Sequence, residues 1–292
     1  MRILHLDSGR EMRGGQWQVF RLHAGLLERG HESMLLARAE SPLLALAQSH
    51  KLPCDVLYPF RLARQSSNYD VVHAHDARSH TLGAVSARPP LVVSRRVAFP
   101  VKNSPLSRWK YERPRLFLAV SNFVAGELTR GGVDPARVQV VYDGVRVPEE
   151  PAYGDALIAP FTSDPQKGMA LAQAAAEIAH IPITYSRELD RDLPEAKALL
   201  YLTHSEGLGS GILLGMAYGV TIIASRVGGI PELIQHGVNG LLVDNEPAAI
   251  ADAMRHIHPS LGVAARQTVI DHFSEAAMVN NTLRAYSQVL CR

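Results

Sequence analysis

Cysteine is nearly absent from this chain. Its 292 residues hold two, Cys54 and Cys291, far apart and at no metal-ligand spacing. That leaves no disulfide framework and no cysteine-built zinc site, and reduced thiols in a cytoplasmic protein are the expectation. Long apolar runs are missing too. None approaches the roughly 18–20 residues needed to span a bilayer, and the opening MRILHLDSG is too short and too polar for a signal peptide. No zinc-finger, RNA-recognition or helix-turn-helix signature is present, so nucleic acid is not an expected partner. There is no G-x-G-x-x-G after the first strand pattern, which disfavours a nicotinamide cofactor. Short repeats and low-complexity tracts are absent as well.

What is present reads as a globular α/β protein, 47% hydrophobic and 20% charged. The net charge of +2 hides an asymmetry. Residues 1–150 carry 21 Lys/Arg against 14 Asp/Glu, whereas residues 151–292 carry 9 against 14. Short β-rich runs such as RILHLD, SMLLAR, DVVHAH, PLVVSRR and LFLAVS alternate with helical patterns. After Pro148–Asp155, a Pro- and Glu-rich stretch read as a linker, the alternation resumes with ALIAPF, IPITYS, LLYLTH and TIIAS. Such alternation predicts two Rossmann-like halves with parallel sheets. The expected boundaries are 1–148, 155–273 and a C-terminal helix over 274–292 that packs back on the first half. Ligands of such sheets bind at the carboxyl ends of the strands.

Several segments at strand–helix junctions can carry chemistry. Gly14 and Gly15 precede a helix, where backbone amides favour an anion; alternatively they form a plain tight turn. Lys167, in SDPQKG, follows a strand and opens a helix, a position suited to phosphate or to an ordinary surface lysine. EGLGSG is more specific. Gly209, Ser210 and Gly211 allow a ligand close to the backbone, and Glu206 is placed to accept hydrogen bonds from sugar hydroxyls or from its own loop amides. His73 and His75 alternate on one strand and share a face. Without further ligands at a familiar spacing, they point to a histidine that hydrogen-bonds a substrate rather than to a metal. Basic residues are densest over Ser94–Arg115, where Arg95, Arg96, Lys102 and Arg108 surround Trp109 and Tyr111. This is a surface for phosphates or anionic lipid, or a solvated loop of ordinary charge.

Taken together, GGQWQVFRLHAGLLERGHE, DVVHAH, VSRRVAFP, LAVSNFV, RVQVVYDGV, DPQKG, EGLGSGILLGMAYG and TIIASRVGGIPELIQHGVNGLLV resemble, in order, the family 4 glycosyltransferases of the GT-B fold. The resemblance implies two Rossmann-like domains facing across a cleft, a nucleotide-sugar donor, and transfer with retention of anomeric configuration. It implies no metal and no cofactor. His75 matches the histidine near the reacting carbon, Glu206 the first acid of the E-x7-E motif, and Lys167 the lysine on the diphosphate. Gly14, Gly15, Gly209, Ser210 and Gly211 match the loops near the donor. The acceptor is expected to be a glycan or a lipid-linked molecule of cell-envelope or lipopolysaccharide synthesis, held by Arg95, Arg96, Lys102 and Arg108. A peripheral contact with the inner face of the membrane goes with that reading.

Three departures accompany the resemblance. Leu214 occupies the second acid, the one that binds the ribose hydroxyls. Thr162 stands where a phosphate-binding arginine is expected, with Arg187 and Arg226 as replacements to consider. The C-terminal half is short of the family pattern by about one β-α unit. The alternative they raise is a catalytically impaired GT-B protein that serves as a binding or partner subunit.

Overall fold

In the computed structural model of the chain, which describes residues 1–102 and 104–291, the polypeptide divides into two compact units. Unit 1 comprises Met1–Asp143 and the segment from Glu275 onward, and unit 2 comprises Gly144–Ser274.

Unit 1 alternates β1 (Arg2–Asp7), α1 (Gly14–Glu28), β2 (Glu32–Ala37), α2 (Pro42–Ser49), β3 (Cys54–Val56), α3 (Pro59–Ser66), β4 (Val71–Ala74), α4 (Ala77–Ser86), β5 (Leu91–Arg95), α5 (Pro105–Glu112), β6 (Leu116–Ala119), α6 (Asn122–Arg130) and β7 (Val138–Val140). The strands form a parallel sheet in the order β3-β2-β1-β4-β5-β6-β7. Its central strands are buried on both faces and therefore read as continuous apolar runs rather than as alternation. Helix starts are fixed by side-chain caps: Ser41, Asp76, Ser104 and Ser121 each accept a backbone N–H of the first turn.

Unit 2 repeats the plan on a smaller scale, with β8 (Ala156–Pro160), α7 (Met169–Ala179), β9 (Thr184–Ser186), α8 (Leu189–Asp192), β10 (Ala196–Tyr201), α9 (Ser210–Tyr218), β11 (Thr221–Ser225), β12 (Leu241–Val243), α10 (Pro247–Arg255) and α11 (Pro259–His272). Its parallel sheet runs β12-β11-β10-β8-β9. The chain then returns to unit 1 as α12 (Glu275–Leu290). There Met278, Val279, Tyr286 and Val289 join Leu22, Leu26, Val71 and Val92 in one core.

The stretch 148–155, expected to be a linker, is tied into unit 2. Ala152 and Tyr153 donate their N–H groups to the carbonyls of Tyr218 and Pro194, and Arg266 donates to the carbonyls of Pro148 and Glu149. The division between units comes earlier, at Asp143/Gly144. Ser94–Arg115 is likewise more than a loop, because Pro105–Glu112 is the helix α5.

Candidate functional site

Functional side chains collect in two places, one per unit, each at the carboxyl ends of parallel strands. In unit 1, β4 leads directly into His75 and Asp76, beside the end of β1. Asp76 caps α4 through Arg78 and Ser79 and also accepts from the Ser8 amide at 2.7 Å and the Ser8 hydroxyl at 2.6 Å. Burial raises the Asp76 pKa, but the hydrogen bonds from Ser79 and Ser8 outweigh it and leave the carboxyl below its usual range. Asp7 is shifted the other way, raised by burial and by the nearby charge of Asp76. It accepts from the Gly9 amide and from Gln16 in the first turn of α1, which fixes the turn carrying Gly14 and Gly15.

His75 is buried. Its Nε2 lies 2.9 Å from Nδ1 of His5, and its Nδ1 lies 3.5 Å from a guanidinium nitrogen of Arg96. Arg96 is itself held by Asp143 at 2.9 Å. A guanidinium only donates, so the His75 Nδ1 facing it is the unprotonated nitrogen. The ring proton then sits on Nε2 and is donated to His5. Burial first, then the neighbouring His73, His5, Arg96 and His23, push the His75 pKa well below its ordinary value, so the imidazole is neutral.

His5, His73 and His75 offer ring nitrogens within 4.8 Å of one another, the spacing of a metal centre. Most of these nitrogens already have protein partners, the buried Nε2 of His5 excepted. His73 is already bonded by Tyr286 and Ser94, at 2.6 and 2.8 Å. His75 and His5 bond each other, and the charge of Arg96 faces the group. The expected anion-binding set also divides. The guanidinium of Arg95 bonds Tyr111 and the Phe99 carbonyl, and that of Arg96 is engaged by Asp143. These two are internal braces, whereas Lys102 and Arg108 lie toward solvent.

In unit 2 the expected residues converge. Lys167 sits at the end of a 3-10 turn, Pro165–Lys167, and its Nζ lies 2.9 Å from Oε2 of Glu206. The same oxygen accepts from the Tyr201 hydroxyl at 3.0 Å, while Oε1 accepts the Gly207 amide at 3.1 Å. The Tyr201 hydroxyl is raised well above its ordinary pKa by burial and by Glu206, so it remains a donor. Two loops are locked together behind this pair, since the Thr203 hydroxyl and the His204 amide both donate to the Gln166 carbonyl. Gly209 has φ +110, a conformation suited to glycine. It delivers Ser210 and Gly211 as the first turn of α9, whose amides face the same end of the sheet. Behind Glu206 stands Gly228, with φ +56; a Cβ there would lie 2.0 Å from the Glu206 carbonyl oxygen.

Sequence reasoning passed over His5, Asp143, Tyr201, Thr203 and Gly228. YDGV and VGGIPE each showed a glycine at a strand end, which is a signal of close backbone approach. Tyr201 and His5 lie in apolar runs and gave none.

Comparison with known proteins adds the following. Residues 12–147 match the model of Glycosyltransferase Family 4, and residues 143–259 match that of Glycosyl transferases group 1. An N-acetyl-alpha-D-glucosaminyl L-malate synthase of Bacillus anthracis is 35% identical over 99 residues, which are 32% of this chain and 26% of that protein. A D-inositol 3-phosphate glycosyltransferase of Nocardioides is 24% identical across 82% of this chain and 68% of its own length. The matched part thus spans about a quarter of the first relative and about two thirds of the second. Among solved structures, Anabaena HepE in complex with UDP and glucose superposes with a TM-score of 0.86 at 16% identity, over 98% of this chain and 99% of that one. Sucrose-phosphate synthase of Thermosynechococcus elongatus gives 0.79 at 15% identity over 100% of each chain. The fold is therefore shared across nearly the whole chain.

Proposed function

The chain belongs to the group 1 glycosyltransferases with the two-domain GT-B fold, and from that premise we propose that it moves a sugar from a nucleotide-sugar donor to a glycan or lipid-linked acceptor, with retention of configuration. The observation that carries the reading is the Lys167–Glu206 pair beside the N-terminal turn of α9. An ammonium, a helix N-terminus and a carboxylate at one strand edge match two parts of a donor, its diphosphate and its sugar. The ammonium and the amides take the diphosphate, and the carboxylate takes the sugar hydroxyls. As the bond from the anomeric carbon to the phosphate oxygen breaks, its electron pair goes to that oxygen, and the fixed positive groups stabilise the growing charge. The acceptor oxygen bonds to the anomeric carbon on the same face and passes its proton to the departing phosphate. No step in this scheme asks for a metal or a cofactor. His75, a neutral imidazole, holds the place of the family's histidine near the reacting carbon.

Within unit 1, α3, α4 and α5 lie side by side. The stretch from Tyr58 to Trp109 exposes Tyr58, Phe60, Val85, Val97, Phe99, Leu106 and Trp109. Residues 57–115 hold eleven Lys/Arg against three Asp/Glu. Apolar side chains among cations suit an anionic lipid surface, which supports a peripheral contact with the inner membrane face and a lipid-linked acceptor. No helix among the described residues is long and apolar enough to cross a membrane.

The second reading, a non-catalytic partner subunit, is favoured by one observation: Leu214 and Thr162 both remove donor contacts from unit 2. Titration calorimetry with UDP-, GDP-, ADP- and dTDP-sugars, repeated on Glu206→Ala, separates the two. Binding of one donor that is lost in the variant supports the transferase. Absence of binding by folded protein supports the partner subunit.

A further inference from the structure

On the donor reading above, on which this inference rests, Leu214 leaves the ribose diol without a carboxylate. The α9 face that carries position 214 has a neighbour. Gly211, Leu214 and Tyr218 fall at i, i+3 and i+7, on one side of the helix. A Cβ on Gly211 would lie 3.2 Å from Cδ1 of Leu189 and 2.8 Å from Cε2 of Tyr201, the residue bonded to Glu206. At the other end of the stripe, the Tyr218 hydroxyl donates to the Asp190 carboxylate at 3.2 Å. The segment after β9 therefore runs along the stripe from Gly211 to Tyr218, with Leu214 between the two contacts.

Just before it, the Arg187 guanidinium lies 3.8 Å from the centroid of the Phe161 ring. These two residues follow the carboxyl ends of β9 and β8, and both are solvent-exposed, Phe161 to 41%. A flat aromatic–guanidinium stack at the ligand edge of a parallel sheet suits a nucleobase. Glu188 comes next. Its carboxylate has an exposed pair with Arg191 at 3.3 Å, a contact of little worth that a ligand can displace. The neighbouring acids are more committed: Asp190 is bonded to Tyr218, and Asp192 to Ser186 and Arg191.

We propose that the nucleoside half of the donor binds at Phe161, Arg187 and Glu188, with Glu188 accepting the ribose hydroxyls that an acid at position 214 would otherwise take. The loss at 214 is then a relocation of the carboxylate from α9 to the loop that covers it.

The test is calorimetric titration of the full chain with UDP, GDP and ADP. The nucleotide that binds is then compared with its 2′,3′-dideoxy analogue, which lacks both hydroxyls. Glu188→Gln, a surface change that leaves the fold intact, is expected to weaken the ribonucleotide about tenfold and to leave the dideoxy analogue unchanged. Leu214→Glu added to Glu188→Gln is expected to restore the ribonucleotide, and Phe161→Ala to weaken both forms alike. Wild-type affinity in Glu188→Gln, or equal loss of both forms, overturns the proposal. If Lys167→Ala abolishes nucleotide binding while Glu188→Gln does not alter it, the donor reading stands and this inference falls. If no nucleoside diphosphate binds wild type, both fall.

Discussion

At the scale of the residue, the informative pair is Lys167 and Glu206. Each is an ordinary surface residue when read alone, and the sequence left both readings open. Their 2.9 Å contact, with side chains 37% and 17% exposed, makes each the partner of the other. On the proposed donor reading, a bound diphosphate would compete with Glu206 for the ammonium and free the carboxylate for sugar hydroxyls. Lys167→Ala is accordingly expected to weaken a nucleoside diphosphate at least tenfold, the size of a charge-assisted hydrogen bond, with little effect on the bare nucleoside; calorimetry with both ligands checks it.

The histidines of unit 1 give a second prediction. His5, His73 and His75 have pKa values well below the ordinary one, and burial holds His23 at about 4 and His80 at about 3. The unfolded chain takes up these protons near pH 6.5, whereas the native protein does so only at much lower pH. Stability is therefore full above about pH 6.5 and falls as pH drops below it, by about 1.4 kcal/mol per pH unit for each group. A few such groups exhaust a total of about 5–15 kcal/mol within one or two units. Thermal melts are expected to show unit 1 losing its structure between about pH 6 and pH 4, and a flat Tm across that range would contradict the assignment. These histidines were not legible as a cluster, because β1 and β4 pair only in the fold, with His5 opposite His73.

At the scale of the element, strands and long amphipathic helices were legible, and short or atypical pieces were not. RILHLD and LFLAVS read correctly as strands because a parallel sheet buries both of their faces. The helix α3 and the strand β3 were missed; β3 spans three residues and gives no periodic signal. The helix α11 was also missed, its apolar positions being too evenly spread around the axis to stand out. The loop after β11 shows what one glycine contributes. An alanine at Gly228 would meet the Glu206 carbonyl at 2.0 Å in a left-handed conformation. Gly228→Ala is expected to cost about 1–3 kcal/mol and to weaken donor binding through the displaced Glu206. Denaturant melts and donor titration read the two effects separately, and a variant that keeps both properties would show that this loop does not position the acid.

At the scale of the whole molecule, the chain crosses between units twice and finishes on unit 1. That return has a chemical consequence, because Tyr286 on α12 is buried with its hydroxyl 2.6 Å from His73. Tyr286→Phe leaves one polar partner unmatched and is expected to cost about 1–3 kcal/mol, measurable as a lower denaturation midpoint. The apparent shortness of the second half looked like a loss when read from the sequence. Its sheet of five strands, against seven in unit 1, accords with that shortness. The charge asymmetry was legible as a sum, but its placement was not. Only the packing of α3, α4 and α5 puts Phe60, Val85 and Leu106 on one basic layer. Vesicles containing phosphatidylglycerol are expected to sediment the protein at low salt and to release it at high salt, while phosphatidylcholine vesicles do not; equal binding to both would remove the anionic-surface reading.

The measurement that bears most directly on the account is proton NMR of the anomeric signals while the protein turns over the donor that calorimetry selects. The account predicts slow release of nucleoside diphosphate with the sugar appearing first as the anomer it had in the donor, and loss of that release in Glu206→Gln. Binding without any release, equal in wild type and variant, would contradict a catalytic site and leave a binding subunit built on a transferase fold.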